Sequence, residues 1–384
     1  MQATKVHVHL FYGADPRVYR KGEDFGCLYG YHHAESDEFA LTYSCDAKES
    51  KPVSVARRAL KLVLGFDLIH TLRNRDEILR SDVIWTHTEA EHLAVALVLL
   101  LAGERGRKPL LLAQSVWLFD KWRGYGALRR WVYRKLLARA DVLTTLARDN
   151  AELCRRYLKR DAIRVHYGLN MTDFPLAEPH TWQPHAPLRI AAIGNDRDRD
   201  WTTLVKAFGN DPRYTVRLAT RRKIPQALHA PNVQIAPASG LAKQRELYDW
   251  ADLVVVPLRP NYHASGITVV LEAAALGKPV IATDVGGLRD YFTAQQVSYV
   301  PPHDAAALRR AADALAAHPE ATLSRVWAAG AQLTARRLTT QHFAQQHVQI
   351  TRAMLSERGA PAVRERNSAR DVRIAERAVP IERR

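Results

Sequence analysis

The stretch HASGITVVLEAAALGKPVIATDVGG, residues 263–287, decides how the second half of the chain is organised. The run ITVVLEAAAL has helical spacing and leads through Gly277 into PVIAT, which predicts a helix followed by a buried strand. Ser265 and Gly266 precede this helix, so their backbone N–H groups and the helix dipole can receive a phosphate. Glu272 follows about two turns into the helix. The alternative is an ordinary N-cap at Ser265 and a solvated carboxylate at Glu272.

Apolar runs alternate with helical patterns on both sides of a proline-rich break, DFPLAEPHTWQPHAPLRI. Strands alternating with helices indicate parallel sheets with right-handed crossovers. The fold class expected is therefore α/β, with two Rossmann-like, doubly wound domains facing a cleft. The assigned segments are a first domain at 1–175, a linker at 176–187, a second domain at 188–340 and a charged, disordered tail at 357–384. First-domain strands are predicted at residues 5–12, 38–44, 82–87, 109–115 and 141–146.

Length and composition favour a folded protein of two domains. The chain has 384 residues, 47% of them hydrophobic, and only three cysteines, which favours a reducing compartment and by default the cytoplasm. The N-terminus lacks the pattern of a secretory signal. The most apolar stretch, LAVALVLLLA at 93–102, is about half of the ~20 residues that span a bilayer, so we expect a buried helix there.

The formal net charge of +16 indicates binding of a polyanion. Basic residues are spread along the whole chain, and no recognisable DNA- or RNA-binding module is present, which argues against a nucleic-acid partner. Nucleotide-sugars, pyrophosphate lipids and anionic membranes are the classes of polyanion that this charge leaves open.

The segment GNDRDRDW, residues 194–201, places Asp196, Asp198 and Asp200 directly after the strand-like run LRIAAI. An EF-hand loop would need glycine at its sixth position and glutamate at its twelfth, where this chain has Trp201 and Ala207, so that interpretation fails. A magnesium site built from two or three carboxylates stays open at this point.

Several blocks in the second half resemble those of the GT-B glycosyltransferases, specifically the retaining group around glycosyltransferase family 4. The resemblance rests on LYDWADLVVVP, SGITVVLEAAALGKPVIATDVGGLRDY and VSYVPPHDAAALRRAADAL, in the family's order and spacing. IRVHYGLNMTDF at 163–174 is similar to the family's exit from the first domain, and 341–356 to its C-terminal helix. The resemblance covers about half of the chain and implies a nucleotide-sugar donor in the second domain and an acceptor in the first.

The resemblance also implies roles for individual residues. Glu272 matches the glutamate that binds the ribose hydroxyls, and the backbone from Ser265 to Ile267 matches the contact with phosphate or sugar. The family often has a second glutamate eight residues before the first, and this chain has Ala264 there; His263 is either a partial substitute or a loop residue. The donor-binding residues assigned are Gly194, Asn195, Arg197, Arg199, His263, Ser265, Gly266, Ile267, Thr268 and Glu272.

The departing nucleoside diphosphate gains negative charge, so the transition state needs positive charge near the phosphates. Enzymes that this chain resembles supply it with Arg and Lys, and no metal or other cofactor is expected. Arg199 falls in the place of the family's lysine, and Arg197 is the nearest substitute for its arginine. The alternative is that both pair with their neighbouring aspartates on a solvated turn.

The first domain resembles the family less. Reading PLLLAQS as its fourth strand puts Gln114 in the place of the family's usual histidine, which leaves His87 as the catalytic candidate nearest the acceptor. If the reaction inverts configuration, a residue here must deprotonate the acceptor hydroxyl; if it retains configuration, these residues position the acceptor. The acceptor zone assigned comprises Gly13, Glu89, Gln114, Ser115 and Asp120.

Residues 121–139, KWRGYGALRRWVYRKLLAR, contain seven basic residues, four Trp or Tyr and no acidic residue. On a helix this pattern suits an anionic membrane surface. The alternative is a surface helix whose residues Leu128, Trp131, Val132 and Leu136 pack into the core.

Together these features predict a metal-independent, retaining glycosyltransferase that moves a sugar from a UDP- or GDP-sugar to a saccharide or a polyprenyl-diphosphate-linked acceptor. It would act in polysaccharide or glycolipid biosynthesis, peripherally on the inner face of the plasma membrane. Two alternatives are a nucleotide-sugar epimerase of the same fold and a catalytically degenerate member that only binds nucleotide or membrane. A dehydrogenase is disfavoured because no G-x-G-x-x-G follows a strand.

Overall fold

The computed structural model describes residues 3–17, 28–103, 109–178 and 181–359. The chain forms two compact units. One comprises the chain up to Val165 together with the chain from Thr340 onward, and the other comprises His166–Thr339. The boundaries predicted from the sequence are 175 and 340, with the C-terminal helix as a separate segment.

The first unit is built on a six-stranded parallel sheet in the order β2-β1-β3-β4-β5-β6. Its strands are β1 Thr4–His9, β2 Phe39–Tyr43, β3 Val83–Thr86, β4 Leu110–Ser115, β5 Val142–Thr145 and β6 Ile163–Arg164. The α-helices described in this unit are Lys51–Leu64, Leu68–Arg73, Arg75–Arg80, Glu89–Leu101, Leu118–Lys121, Ala127–Leu137, Arg148–Leu158 and Thr340–Gly359. Strands β3 to β5 are buried along their whole length, as expected of a sheet covered on both faces.

The second unit repeats this plan with the sheet order β12-β11-β10-β7-β8-β9, again all parallel. Its strands are β7 Leu188–Ile193, β8 Tyr214–Ala219, β9 Val233–Ala236, β10 Leu253–Val256, β11 Val280–Thr283 and β12 Ser298–Val300. The described α-helices are Trp201–Phe208, Leu241–Trp250, Ile267–Ala275, Ala305–Ala317 and Pro319–Ala335. The expectation of two Rossmann-like sheets is confirmed.

The segment predicted as a linker, 176–187, lies within the second unit and packs against the rest of it. The Trp182 indole is buried and donates a 2.9 Å hydrogen bond to the backbone oxygen of Asp252. The Asp252 carboxylate also accepts a 3.1 Å hydrogen bond from the backbone of His185. These contacts attach the proline-rich segment to the start of β10.

The C-terminal helix Thr340–Gly359 is part of the first unit's core. Thr351 accepts a 2.9 Å hydrogen bond from the buried indole of Trp85 on β3. The ring of Phe343 packs 5.4 Å from that of Tyr31. The helix continues three residues beyond the predicted 341–356, and the predicted tail from residue 360 onward lies outside the described residues.

The basic segment 121–139 is not one helix. A short helix, Leu118–Lys121, and a 3-10 turn, Trp122–Gly124, precede the main helix, Ala127–Leu137. The break lies at Gly126, the N-cap residue of the main helix, whose φ of −65° and ψ of 164° are extended rather than helical. None of the helices described in either unit is long and apolar enough to cross a membrane.

Candidate functional site

A hydrogen-bonded carboxylate lies on the helix that follows β10. Glu272 projects from helix Ile267–Ala275, and its Oε2 accepts a 2.5 Å hydrogen bond from the hydroxyl of Tyr248. Burial raises the pKa of Glu272 to about 7, against the opposing effects of the Tyr248 hydrogen bond and the Arg199 charge. The carboxyl group therefore changes its ionisation near neutral pH, which suits a group that exchanges partners with a ligand.

Arg199 lies buried between two glycines. Its side chain is only 3% exposed, and its Nε is 3.0 Å from Oδ2 of Asp196. A Cβ on Gly194 would collide with the guanidinium, and a Cβ on Gly266 would lie 2.6 Å from its Nη1. Only glycine at these two positions leaves room for the arginine.

The buried guanidinium is not fully satisfied within the described chain. Neither Nε nor Nη1 of Arg199 has a hydrogen-bond partner of adequate geometry there. Burial lowers the pKa of Arg199, while the charges of Asp196, Tyr248, Glu272 and Asp198 raise it. A buried cation whose N–H groups lack well-formed hydrogen bonds, beside the N-terminus of helix Ile267–Ala275, has the chemistry needed to bind an anion.

The three aspartates of GNDRDRDW have separate partners. Asp196 accepts from Ser265 Oγ at 3.3 Å and faces Arg199, while Oδ2 of Asp198 lies 3.7 Å from Nε2 of His263. Asp200 caps helix Trp201–Phe208 by accepting from the backbone and hydroxyl of Thr203. In the residues that the structure describes, no group of His, Cys, Asp or Glu has the arrangement of a metal site.

Other predicted donor residues differ in accessibility. Arg197 is 54% exposed, and its Nε lies 3.7 Å from Asp198, so the alternative of a solvated pair describes Arg197 but not Arg199. Asn195 is exposed and accepts a 2.7 Å hydrogen bond from the backbone of Arg221. Thr268 is also exposed.

The turn before helix Ile267–Ala275 is compact. Ser265, Ile267 and His263 are buried, and the His263 backbone oxygen accepts from the Ser265 backbone at 2.9 Å. Gly266 is the N-cap residue with φ of +78°, a left-handed conformation that glycine adopts without strain. The structure thus brings Ser265, Gly266 and Arg199 together.

Tyr248 is the site residue that was not singled out from the sequence. It is fully buried on helix Leu241–Trp250, and burial raises its pKa well above its ordinary value, so it is a hydrogen-bond donor. Its position within LYDWADLVVVP, one of the blocks that carry the resemblance, was the available signal. The pattern of that helix gave no sign that its tyrosine contacts Glu272, because the two are 24 residues apart.

In the first unit, His87 and Gln114 are neighbours. Both are buried, and the Gln114 amide nitrogen lies 3.2 Å from Nδ1 of His87 and donates to its backbone oxygen at 3.1 Å. The Tyr31 hydroxyl is also 3.0 Å from that Nδ1, and Tyr29 stacks on the imidazole at 3.4 Å. Burial, with a smaller effect of His347, holds the pKa of His87 well below its ordinary value.

The remaining residues of the predicted acceptor zone have different surroundings. Glu89 accepts from the backbone of Trp117 at 3.1 Å and from Lys121 at 3.3 Å, so it holds the turn after β4. Ser115 Oγ lies 3.0 Å from Nε2 of His92. Asp120 is half-buried in helix Leu118–Lys121, and Gly13 is exposed in the loop after β1.

The comparisons with known proteins agree with this architecture. Residues 188–318 match the family model described as Glycosyl transferases group 1. No curated protein sequence matches the chain significantly.

The chain is similar to several solved structures. With a sucrose-phosphate synthase from Thermosynechococcus elongatus the TM-score is 0.69 at 17% identity, covering 92% of this chain and 100% of that one. With HepE from Anabaena in complex with UDP-glucose it is 0.63 at 13% identity, covering 91% and 99%. With a glycosyltransferase from Rickettsia africae it is 0.58 at 14% identity, covering 92% and 99%. These likenesses confirm the GT-B fold, and the match over residues 188–318 confirms the resemblance to the group 1 glycosyltransferases.

Proposed function

We propose that this chain, a glycosyltransferase of GT-B fold, moves a sugar from a UDP- or GDP-sugar to a hydroxyl group of a saccharide or lipid-linked acceptor. The solved HepE structure contains UDP-glucose, which supports a nucleotide-sugar as the donor here. The reaction proposed needs no metal ion and retains the configuration of the transferred sugar. Polysaccharide or glycolipid synthesis is the setting proposed for it.

The observation that carries this proposal is the buried, incompletely paired guanidinium of Arg199. Its Nε and Nη1 groups lack well-formed hydrogen bonds, and a diphosphate bound to them would also be near the N-terminus of helix Ile267–Ala275 and the hydroxyl of Ser265. Charge on the leaving diphosphate grows in the transition state, and a preorganised cation in a water-poor site stabilises it strongly. Arg199 is therefore assigned to the leaving group, with the exposed Arg197 as a weaker contributor.

Glu272 is assigned to the ribose hydroxyls. When ionised it has only acceptor atoms, and Tyr248 occupies one of its oxygens, which leaves the other for a ligand hydroxyl. Retention would follow if the acceptor attacks the anomeric carbon on the face that the diphosphate leaves. In that reaction the acceptor's proton passes to the departing phosphate oxygen, and no protein base is required.

The first test is thermal stabilisation by a panel of nucleotides and nucleotide-sugars, with and without EDTA. Stabilisation by UDP or GDP compounds that survives EDTA is expected, and it should disappear in Glu272→Ala. If nucleotide affinity and sugar transfer are unchanged in Glu272→Ala, the site assignment is wrong. Recovery of activity by magnesium after EDTA would contradict metal independence.

A second test separates transfer from epimerisation. Incubation with the donor alone should return the donor sugar unchanged, whereas an epimerase would produce its epimer without any acceptor. Nucleotide binding with no transfer to any acceptor would instead favour a degenerate, binding-only protein.

The acceptor is proposed to be presented at an anionic membrane surface. In helix Ala127–Leu137, Leu128 is 74% and Trp131 57% exposed, one turn apart and flanked by arginines, whereas Leu136 packs into the core. The apolar residues of this helix are therefore of two kinds: Leu128 and Trp131 are exposed and available to a membrane, and Leu136 belongs to the core.

A second helix extends this apolar and basic surface. Leu62 and Val63, near the end of helix Lys51–Leu64, are 82% and 66% exposed. Arg129 donates a 2.5 Å hydrogen bond to the backbone oxygen of Val63, and Tyr133 donates to that of Leu64 at 2.7 Å. These bonds join the two helices, so their exposed apolar residues and their arginines and lysines form one surface suited to anionic lipid.

A further inference from the structure

Three buried hydrogen-bond acceptors cluster in the first unit. They are Nδ1 of His9, Nδ1 of His70 and Oδ1 of Asp46, and nothing in the described part of the chain donates to them. The rings of His9 and His70 are stacked with centroids 5.3 Å apart. Nδ1 of His70 lies 4.0 Å from Oδ1 of Asp46, which is too far for a hydrogen bond.

The contacts of the other ring nitrogens fix both imidazole tautomers. His9 Nε2 lies 2.9 Å from Thr71 Oγ1, whose proton is donated to the backbone oxygen of Asp67, so His9 must donate from Nε2. His70 Nε2 lies 3.1 Å from the backbone oxygen of Leu10, which can only accept. Burial lowers the pKa of His9 and His70, which keeps both rings neutral. Both Nδ1 atoms are therefore acceptors without a proton.

Asp46 completes the cluster. Its Oδ2 accepts a 2.9 Å hydrogen bond from the backbone of Gly13, which leaves Oδ1 without a donor. Buried acceptors without donors are destabilising, so the missing partner has to be a group that donates hydrogen bonds.

The chemistry of the cluster narrows the class of that partner. A phosphate or carboxylate would place anionic oxygens against three acceptors, which is repulsive. In the described residues no side-chain group has the arrangement needed to hold a metal ion. A neutral hydroxyl group, which donates and accepts, matches the atoms present.

The cluster lies at the carboxyl ends of β1 and β2, the edge at which parallel α/β sheets bind ligands. Asp46 is half-buried, while Gly13 beside it is exposed and has φ of +103°. Among the described residues, only Phe11 would lie within 4 Å of a Cβ on Gly13, at 4.0 Å. The half-buried ring of Tyr12 lies edge-on to His70 at 5.6 Å and offers apolar surface beside the polar atoms.

We infer that Asp46 and His70, supported by His9, bind a hydroxyl group of the saccharide acceptor. This inference rests on the proposed function, because it names the substrate that receives the sugar. It adds a binding subsite to the first unit that is separate from the surroundings of His87 and Gln114.

The variant Asp46→Asn tests the subsite. Its amide oxygen can still accept from Gly13, and its NH2 group replaces the orphan acceptor Oδ1 with a donor 4.0 Å from His70 Nδ1, so one buried acceptor without a donor is removed. The melting temperature should rise or stay unchanged, while KM for the acceptor increases about tenfold or more, as for the loss of a charge-assisted hydrogen bond. KM for the donor should stay within twofold. Cys45→Ser, one residue away and exposed, is the control and should leave both KM values unchanged.

The assay uses the nucleotide-sugar that stabilises the protein most and a panel of octyl glycosides as acceptors. If Asp46→Asn keeps the wild-type KM for the acceptor while transfer proceeds, the inference is overturned and the proposed function stands. If no nucleotide-sugar stabilises the wild-type protein, the proposed function itself fails, and that readout does not involve Asp46.

Histidine 15N spectroscopy of the wild-type protein tests the subsite without a variant. Millimolar methyl α-glycosides of glucose, mannose and galactose serve as probes. A shift of the Nδ1 resonance of His70 with at least one of them is expected, because an acceptor nitrogen moves when it receives a hydrogen bond. Resonances unchanged by every glycoside would show that only water satisfies these atoms and would overturn the inference.

Discussion

The hydroxyl of Tyr248 donates a 2.5 Å hydrogen bond to Glu272, and this bond lowers the pKa of a carboxyl group that burial raises to about 7. The two residues come from consecutive helices of the second unit. If Glu272 binds the ribose as proposed, this contact links nucleotide binding to pH, because the ionised carboxylate has only acceptor atoms to offer a ribose hydroxyl.

Nucleotide affinity should therefore depend on pH around neutrality. Glu272 is protonated below pH 7 and ionised above it, so affinity for UDP or GDP should rise from pH 6 to pH 8. Tyr248→Phe removes the bond that lowers the pKa, and the midpoint should move to higher pH. Calorimetric titration at several pH values measures both effects. Tyr299→Phe, whose hydroxyl donates to the backbone of Phe292, is the matched control, and an equal shift in it would refute the explanation.

Replacement of Arg199 should weaken nucleotide binding more than replacement of Arg197. Loss of charge-assisted hydrogen bonds in Arg199→Met should reduce affinity about 10- to 100-fold, and Arg197→Met should reduce it only slightly. Gly194→Ala keeps the charge but displaces the guanidinium, so it should reproduce most of the Arg199→Met loss. Equal effects of the two arginine variants, measured by calorimetry, would contradict the assignment.

Replacement of Asp200 should affect stability, whereas replacement of Asp196 should affect donor KM. Asp200 is an N-cap, so Asp200→Ala should lower the free energy of unfolding by about 1 kcal/mol and leave the activity of folded molecules unchanged. Asp196→Asn removes the carboxylate beside Arg199 and should change donor KM with little effect on stability. Urea denaturation and steady-state kinetics separate the two. Restoration of Asp200→Ala activity by magnesium would revive the metal interpretation.

The protein should lose stability as the pH falls from 6.5 to 4. Burial lowers the pKa of His7 to about 4, of His92 to about 3 and of His347 to about 4, and it also holds the pKa values of His9 and His87 well below the ordinary histidine value. In this window the unfolded chain binds protons at these sites and the folded protein does not, so acid favours unfolding. Glu91 and Glu272, with pKa values raised to about 7, take up protons in the folded protein and so favour folding as the pH falls, but they are fewer than the histidines. Urea unfolding should show a lower midpoint at pH 5 than at pH 7, and equal midpoints would contradict this.

Membrane association should depend on the exposed residues of two helices. Leu62→Ser and Trp131→Ser should reduce flotation with vesicles containing anionic phosphatidylglycerol, and the double variant should reduce it further. Leu101→Ser, which is also highly exposed in the first unit, serves as the control. Binding should weaken at high salt and be absent with purely zwitterionic vesicles. Identical flotation of all variants would exclude this surface.

Alternating apolar runs predicted both sheets, because a parallel sheet covered by helices needs strands that are apolar on both faces. The turn at Ser265 and Gly266 could also be predicted, since glycine before an apolar helix permits the left-handed backbone that this turn adopts. The limits of the helices in 121–139 could not be predicted, because the extended backbone at Gly126 is one that any residue can adopt.

The sequence GNDRDRDW does not show that Arg199 is buried while Arg197 is exposed. Both arginines alternate with aspartates and look equally solvated in the sequence. Arg199 is buried because Gly194 and Gly266, which are far apart in the chain, together leave space for it. Such a fit depends on tertiary structure, and so does the contact between Tyr248 and Glu272.

The chain leaves the first unit at Val165 and returns to it at Thr340, and the two ends of the second unit are held together where Leu169 donates to the backbone oxygen of Leu338. The second unit is thus inserted into the first, with its two ends hydrogen-bonded to each other. We expect that a related nucleotide-binding domain can replace it without breaking strand pairs in the first sheet. Deleting the chain after Thr339 would remove Thr351 and Phe343 from the core of the first unit. Their partners Trp85 and Tyr31 would then be exposed. Because helix Thr340–Gly359 covers the core of the first unit, that core cannot be completed until the whole second unit has been synthesised.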